Sequence, residues 1–257
     1  MNVRVYKIGG NVVDDPQRLE RFCEEFAQLE GPRILVHGGG VMADKVQKAL
    51  GIEPIRIQGR RVTDAETLTV VTMVYSGQCN KVVTSKLQKY GVNSIGLSGC
   101  DGNILMANRR APLLIEGESV DFGFVGDVTP DSVNVELMDL LLGNGLVPVL
   151  CAINHDGKGQ LLNTNADTVA SSIASALKAE LVVCFEKNGV LSDKENPDSV
   201  IPSIDRESFE RMKADGTVAD GMIPKLTNAF KAIEQGALKV TIRNSDNLLQ
   251  EGGTVIL

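Results

Sequence analysis

Apolar, β-branched runs alternate with amphipathic stretches along the whole chain of 257 residues. Runs that are apolar nearly throughout are typical of strands buried on both faces of a parallel sheet, and helical spacing of apolar residues is typical of the helices that cover it. The pattern predicts a three-layer α/β/α sandwich with a mainly parallel central sheet. The predicted strands span residues 3–8, 33–37, 55–57, 93–97, 146–150, 181–185, 239–243 and 253–256.

The predicted helices span residues 16–29, 42–50, 64–90 and 133–142, with a further one after Asn165. Between residues 97 and 127 the pattern is short and broken by glycines, which predicts one or two hairpins that act as a lid. Because no long linker interrupts the chain, we expect two closely packed lobes, residues 1–170 and 171–257, joined by a short hinge near residues 167–179.

Composition narrows the class of protein. A net charge of -7 without a dense Lys/Arg run argues against binding to nucleic acid or to a membrane surface. The chain starts directly as a strand, and no run approaches ~18 apolar residues, so we expect a cytoplasmic protein. Five cysteines without Cys-x-x-Cys spacing indicate reduced thiols in the core.

Two glycine-rich turns follow predicted strands: Lys-Ile-Gly-Gly at residues 7–10 and His-Gly-Gly-Gly at residues 37–40. Glycines at the carboxyl ends of parallel strands let backbone N–H groups approach an anion, and the following helix adds partial positive charge. Lys7 lies in an otherwise apolar strand, where an isolated charge is costly without an anionic partner. The alternatives are tight turns that need glycine for steric reasons and a lysine at a strand edge.

Two other nucleotide-binding motifs are absent or incomplete in this chain. The chain has no Gly-x-x-x-x-Gly-Lys-Ser/Thr motif, which disfavours a P-loop enzyme. Residues 38–43 satisfy the loose Gly-x-Gly-x-x-Ala pattern of dinucleotide-binding proteins, so a dehydrogenase remains an alternative function. However, the acidic residue expected near the end of the next strand is missing from residues 55–58.

Three further clusters lie at residues 59–64 (Gly-Arg-Arg-Val-Thr-Asp), 162–167 (Leu-Asn-Thr-Asn-Ala-Asp) and 219–225 (Ala-Asp-Gly-Met-Ile-Pro-Lys). With the two turns, this set resembles the amino-acid kinase family over nearly the whole chain, and within it the branch that phosphorylates the γ-carboxylate of an N-acylated glutamate in arginine biosynthesis. The resemblance implies ATP as phosphoryl donor, Mg²⁺ held mainly by phosphates and water, a small-molecule acceptor and a homodimer formed through the first lobe.

The resemblance also implies catalytic roles that fit the chemistry. Phosphoryl transfer spreads negative charge over the transferred group, so catalysis depends on alignment and electrostatic stabilisation. Lys7 would neutralise that group and Lys225 the leaving β-phosphate, with the Gly10 and Gly39 amides between them. Asp167 would hold the two ammonium groups in place, and the alternative for this residue is a simple carboxylate at a helix start.

The acceptor is expected to contact Gly39, Gly40, Arg61 and Asn163, with the Arg61 guanidinium binding its α-carboxylate. No catalytic base is required, because the accepting γ-carboxylate is already ionised at pH 7. We therefore interpret His37 as a packed residue at a strand end.

The nucleotide is expected over the last third of the chain. Residues 185–190 (Phe-Glu-Lys-Asn-Gly-Val) stand where the family usually has an aspartate-containing turn, so individual adenine and ribose contacts stay open. No protein side chain is assigned as a metal ligand. The implied nucleotide-binding residues are Lys7, Gly9, Gly10, Glu186, Lys187, Gly189, Thr217, Val218, Ala219 and Lys225.

Two departures from the family bear on substrate and regulation. Arg60 precedes Arg61, and together with the hairpin at residues 97–102 it differs from acetyl-specific members, so this extra cation could serve a longer, acidic acyl group such as succinyl. Arginine-inhibited members carry a helix ahead of the first strand, and this chain has none. We therefore expect no feedback inhibition by arginine.

Two alternative functions remain. One is a family kinase with a different small acidic acceptor, which Arg61 and Asn163 oppose. The other is a non-catalytic ligand-binding relative, which two lysines converging on one phosphate oppose.

Overall fold

The structure is a computed structural model, and it describes residues 2–193, 195–218, 222–250 and 252–257. The α-helices are α1 (Gly10–Val13), α2 (Pro16–Ala27), α3 (Gly40–Ala49), α4 (Ala65–Thr72), α5 (Asn80–Lys89), α6 (Val135–Gly143), α7 (Ala166–Ala176), α8 (Arg206–Ala214) and α9 (Met222–Glu234). The strands are β1 (Arg4–Ile8), β2 (Arg33–His37), β3 (Arg56–Ile57), β4 (Arg60–Arg61), β5 (Ser94–Leu97), β6 (Asn108–Arg109), β7 (Leu113–Ile115), β8 (Glu118–Val120), β9 (Gly126–Asp127), β10 (Val147–Leu150), β11 (Ile153–His155), β12 (Leu161–Asn163), β13 (Glu180–Phe185), β14 (Ser203–Ile204), β15 (Lys239–Asn244) and β16 (Thr254–Ile256).

Eight strands form one sheet in the order β14-β16-β15-β13-β1-β2-β10-β5. All neighbouring pairs are parallel except β15 and β16, which run antiparallel. The strands whose sequences are nearly all apolar lie where helices cover both faces of the sheet. This is expected for parallel strands. The predicted mainly parallel sheet is confirmed.

Helices cover both faces of this sheet, which confirms the three-layer architecture. Side chains of a strand alternate between the two faces, and β1 shows this directly. Val5 packs into a core formed with α6, α7, α8 and α9, whereas Tyr6 and Ile8 pack into a second core formed with α2, α3, α4 and α5. The same alternation turns Lys7 toward the face that α7 and α9 cover.

The predicted helix at residues 64–90 contains a π-helix that its pattern did not indicate. Asp64 caps the start of α4 by accepting a hydrogen bond from the Thr67 N–H at 2.8 Å. The residues between α4 and α5, Met73–Cys79, form the π-helix. A π-helix has i→i+5 hydrogen bonds and therefore an extra residue in the turn, which changes the direction of the side chains around it.

Three smaller predictions have different outcomes. The hairpins expected between residues 97 and 127 are confirmed by β7 and β8 and by the pairing of β6 with β9. The prediction that residues 55–57 form a strand of the main sheet was wrong. The strand there is the shorter β3, and it pairs with β4 in a separate sheet of two strands. All five cysteines are free thiols, but Cys100 is exposed, which corrects its assignment to the core.

Within the described part of the chain, no helix is both long and apolar enough to cross a membrane.

Candidate active site

The two glycine-rich turns lie side by side at the carboxyl edge of the central sheet. Ile8 at the end of β1 is level with His37 of β2 and Cys184 of β13, so the segments that follow all three strands meet there. A Cβ atom on Gly10 would lie 3.7 Å from the Gly40 nitrogen. Because α3 begins at Gly40, its free N–H groups and the positive end of its dipole lie beside Gly10. This arrangement is suited to binding an anion.

Lys7 is bound to Asp167 at this edge. The Lys7 Nζ atom lies 2.8 Å from Asp167 Oδ1, and only 8% of Lys7 is exposed. Asp167 is placed by Asn165, whose Oδ1 atom accepts hydrogen bonds from the Asp167 and Thr168 N–H groups at 2.7 and 3.3 Å and so begins α7. The carboxylate compensates the buried ammonium before any ligand binds.

Lys225 reaches the same edge from a helix, in the first turn of α9. Its Nζ atom lies 4.5 Å from the centroid of the Phe185 ring, a cation–π distance. Burial lowers the pKa of Lys225; the carboxylate of Glu186 opposes this, the ammonium of Lys7 adds to it, and the carboxylate of Asp167 opposes it. The two ammonium groups therefore repel each other across one space, and Asp167 offsets that repulsion.

A cavity of 260 Å³ opens between the two lysines. Its lining combines cations with glycine backbone, which is the lining that phosphoryl oxygens need. The residues that matter most here are Lys7, Gly10, Gly40, Arg56, Glu186 and Lys225. Arg56 is a third cation at this cavity, and it was not among the predicted site residues.

Arg61 is fixed beside the same cavity by contacts with α3. Its Nη2 atom donates to the Gly40 carbonyl at 3.1 Å and to Asp44 Oδ1 at 2.6 Å, and its Nη1 atom donates to Gln47 Oε1. Asp44 also accepts a hydrogen bond of 2.9 Å from Arg56. Burial raises the pKa of Asp44, but the hydrogen bonds from the two guanidinium groups outweigh it and the net shift is downward. One carboxylate thus holds two guanidinium groups side by side.

Asn163 joins two of the sequence motifs. It ends β12, and its Nδ2 atom donates to Thr63 Oγ1 at 3.0 Å. Thr63 lies two residues after Arg61 and is fully buried. The structure therefore brings the cluster at residues 162–167 against the cluster at residues 59–64.

A second cavity, of 130 Å³, lies on the α9 side of the sheet. Four of the predicted nucleotide-binding residues line it: Lys187, Gly189, Thr217 and Val218. Apolar side chains, those of Val190 and Leu191 among them, give it a surface suited to a planar base. The predicted residue Ala219 lies outside the described residues, as do the Asp and Gly of the motif at residues 219–225.

His37 is a packed residue and not a base. It is fully buried, and desolvation lowers its pKa to about 4. The Asn80 amide donates to His37 Nε2 at 3.1 Å, so the Nδ1–H group donates to the Gly38 carbonyl at 2.7 Å. The neutral imidazole holds the glycine turn in place.

Sequence reasoning missed Asp44 and Arg56 at this site, and also Tyr75, whose ring packs against Gly39. Asp44 lies four residues after Gly40 on α3, so helical spacing could have placed it on the same face. Arg56 and Tyr75 had no such signal, because one lies in a two-residue strand and the other in the π-helix. Among the described residues, no group of three or more His, Cys, Asp or Glu side chains is arranged to hold a metal ion.

Comparison with known proteins shows which family the chain is similar to. Residues 2–244 match the model of the amino acid kinase family. An acetylglutamate kinase of Cytophaga hutchinsonii is 47% identical over 250 residues, 96% of this chain and 92% of that protein. One of Bacteroides thetaiotaomicron is 47% identical over 256 residues, 98% of this chain and 97% of that protein. A solved Streptococcus mutans protein has a TM-score of 0.77 and 27% identity, over 99% of this chain and 98% of that one.

Proposed function

The chain belongs to the amino acid kinase family, and from this premise we propose that it transfers the γ-phosphoryl group of ATP to the γ-carboxylate of N-acetyl-L-glutamate. The products are ADP and the γ-acyl phosphate, and the reaction belongs to arginine biosynthesis. The relatives that carry the name of this activity are aligned over almost their entire length. The acceptor is therefore a carboxylate of a small amino-acid derivative.

The observation that carries the proposal is the pair of lysines at one cavity. Lys7 reaches this cavity from β1 and Lys225 reaches it from α9, and Asp167 is bound to the first and acts on the second. In the reaction a γ-carboxylate oxygen forms a bond to the γ-phosphorus while the bond to the β–γ bridging oxygen breaks, and the electron pair leaves with ADP. Lys7 stabilises the charge on the transferred group and Lys225 that on the leaving phosphate.

The glycine turns complete this phosphoryl site. The N–H groups of Gly10 and Gly39 donate to the oxygens between the two lysines, since backbone amides need no reorganisation when charge develops. A base is not needed, because the attacking carboxylate carries no proton at pH 7. The buried, neutral His37 supports this view.

The acceptor is oriented by groups on the α3 side of the cavity. Arg61 binds the α-carboxylate, since Asp44 and the Gly40 carbonyl already hold its guanidinium in place. Gly39, Gly40 and Asn163 bind the remainder of the acylated amino acid. Fixed orientation of this kind turns a bimolecular reaction into an effectively unimolecular one.

ATP is placed with its base over the 130 Å³ cavity and its phosphates toward Lys7 and Lys225. Gly189, Thr217 and Val218 line that cavity and would contact the nucleoside, and Lys187 would add a contact to the phosphates. Gly9 and Glu186 contact the phosphate region, and Ala219 completes the predicted set. Mg²⁺, held by phosphates and water, supplies neutralisation of the phosphate charge.

We assign acceptor binding to residues 1–170 and nucleotide binding to residues 171–257. We also propose a homodimer, formed through the helical run at residues 65–89, which presents the exposed side chain of Met73. Sedimentation of the purified protein tests this assembly: a single species with the mass of one chain contradicts it. The proposed compartment is the cytoplasm, where ATP is supplied.

An assay of ADP release with a panel of acceptors tests the function. The panel contains N-acetylglutamate, N-succinylglutamate, glutamate, aspartate and carbamate, and the Lys225→Ala variant is the control for the proposed site. We expect turnover of acylated glutamate and at least about a 100-fold loss of kcat in the variant. Turnover of only an unacylated acceptor would favour another kinase of the family, and absence of turnover would favour a non-catalytic relative.

A further inference from the structure

Tyr75 lies in the π-helix and packs against the glycine turn of the candidate site. A Cβ atom on Gly39 would lie 2.9 Å from Tyr75 Cδ1 and 3.2 Å from Tyr75 Cε1. The ring therefore rests on the Gly39 backbone, which only glycine allows at this distance. π-Helical turns inside α-helices occur frequently at functional sites, because the extra residue redirects a side chain.

The Tyr75 hydroxyl belongs to a group of three polar side chains that converge on Gly40. A Cβ atom on Gly40 would lie 3.6 Å from Arg56 Nη2, 3.9 Å from Arg61 Nη2 and 3.9 Å from Tyr75 Oη. The three side chains come from β3, β4 and the π-helix, so three separate elements aim hydrogen-bond donors at one point. That point lies at the wall of the 260 Å³ cavity, which both Gly40 and Arg56 line.

The chemistry of the hydroxyl is fixed by its neighbour. Tyr75 is 6% exposed; burial raises the pKa of its phenol, and a charge interaction and hydrogen bond with Arg61 partly offset that rise. The phenol is therefore protonated at neutral pH. Because a guanidinium group only donates hydrogen bonds, the phenol oxygen is the acceptor in its contact with Arg61. Its own O–H proton is therefore available to donate to a different acceptor.

We propose that Tyr75 is a further acceptor-binding residue, whose hydroxyl donates a hydrogen bond to the α-carboxylate of the acylglutamate beside Arg61. The inference rests on the proposed function, because it names a contact within that acceptor site. Arg61 supplies the charge, and Tyr75 supplies a donor that is held by packing on Gly39 and so loses little freedom on binding. Tyr75 then selects acceptors that carry a carboxylate on the α-carbon.

The experiment compares the purified wild-type protein with Tyr75→Phe, which keeps the ring on Gly39 and removes only the hydroxyl. Steady-state kinetics are measured with N-acetylglutamate. The inhibition constant is measured for 4-acetamidobutyrate, which keeps the γ-carboxylate and lacks the α-carboxylate. We expect KM for N-acetylglutamate to rise about tenfold or more in Tyr75→Phe, the effect of losing a hydrogen bond to a charged group. KM for ATP and the inhibition constant of 4-acetamidobutyrate stay within about twofold, because neither depends on the lost contact.

Tyr90→Phe is the matched control. The Tyr90 hydroxyl donates to Glu20 at 2.6 Å, and Tyr90 is not among the nearest neighbours of Gly39 or Gly40, as Tyr75 is. This variant should leave KM for N-acetylglutamate unchanged. An unchanged KM in Tyr75→Phe overturns the inference, and so does an equal loss of affinity for both compounds, which would indicate a general disturbance of the site. Absence of wild-type turnover overturns the proposed function itself, which separates the two failures.

Discussion

The Lys7 ammonium lies 2.8 Å from the Asp167 carboxylate and ties strand β1 to the first turn of α7. Alternation along β1 turns Lys7 to the face that α7 and α9 cover, and α9 carries Lys225. Asp167 is therefore a carboxylate that acts on both lysines proposed as catalytic. Its role is to hold two like charges close together without a ligand.

Replacement of this carboxylate should affect the rate more than acceptor affinity. In Asp167→Asn the amide cannot offset the repulsion between Lys7 and Lys225, so both ammonium groups move from their places around the transferred group. We expect kcat to fall about 100-fold, as misplacement of catalytic groups by about 1 Å typically does. KM for N-acetylglutamate should change less than about threefold. Steady-state ADP release measures both, with Asp198→Asn at an exposed turn as control.

The lowered pKa of Lys225 predicts the basic limb of the pH profile. Burial moves this pKa below its ordinary value of 10.5. Because the ammonium is the active form, kcat/KM is complete below the pKa of the folded protein and is lost as pH rises through it. The limb should lie below 10.5, and Lys225→Arg should move it to higher pH, since a guanidinium stays charged. An identical limb in the two proteins would show that another group titrates.

Arg61 should determine affinity for the acceptor. Arg61→Lys keeps the charge but cannot make the contacts with Gly40, Asp44 and Gln47 at once, because an ammonium lacks the planar fork. We expect KM for N-acetylglutamate to rise about tenfold to 100-fold, with kcat and KM for ATP affected less. Arg206→Lys is the matched control, since Arg206 is paired with Glu234 on an exposed surface. Equal changes of KM for N-acetylglutamate in the two variants would show that Arg61 does not bind the acceptor.

Gly39 should be replaceable only at a cost to both stability and acceptor binding. An alanine Cβ would lie 2.9 Å from Tyr75 Cδ1 and 3.0 Å from Cys79 Sγ, so the ring and the π-helix would have to shift. We expect Gly39→Ala to lower the free energy of unfolding by about 1–3 kcal/mol and to raise KM for N-acetylglutamate. Gly143→Ala is the control, because no atom lies within 4 Å of that position. Urea unfolding followed by circular dichroism measures the difference.

The sequence predicted the main sheet well and the short elements beside the candidate site, β3 and the π-helix, poorly, for physical reasons. Strands such as β2 and β13 are apolar through their centres, as buried parallel strands usually are. The two-residue strand β14 has too little pattern to be detected, and residues 55–57 gave a strand that joins a different sheet.

The candidate site likewise contains residues that the sequence predicted and residues that it did not. Lys7, Asp167 and Lys225 follow from motifs, because their chemistry fixes residue type and position together. Arg56 and Tyr75 depend on tertiary packing, since a two-residue strand and a π-helix leave no periodic signal.

The doublet of Arg60 and Arg61 provides the last prediction, which concerns the acyl group. Arg60 is exposed on β4 and pairs with Ile57 of β3, next to Arg56. If Arg60 serves an acidic acyl group, Arg60→Ala should lower kcat/KM for N-succinylglutamate about twofold to fivefold, the range of an exposed charge pair, and leave N-acetylglutamate unaffected. Comparable kcat/KM values for the two acceptors, unchanged in Arg60→Ala, would rule this role out. Arg56→Ala, measured in parallel, tests the cation that lies nearer to Gly40, and a larger loss for N-succinylglutamate there would assign the charge to Arg56.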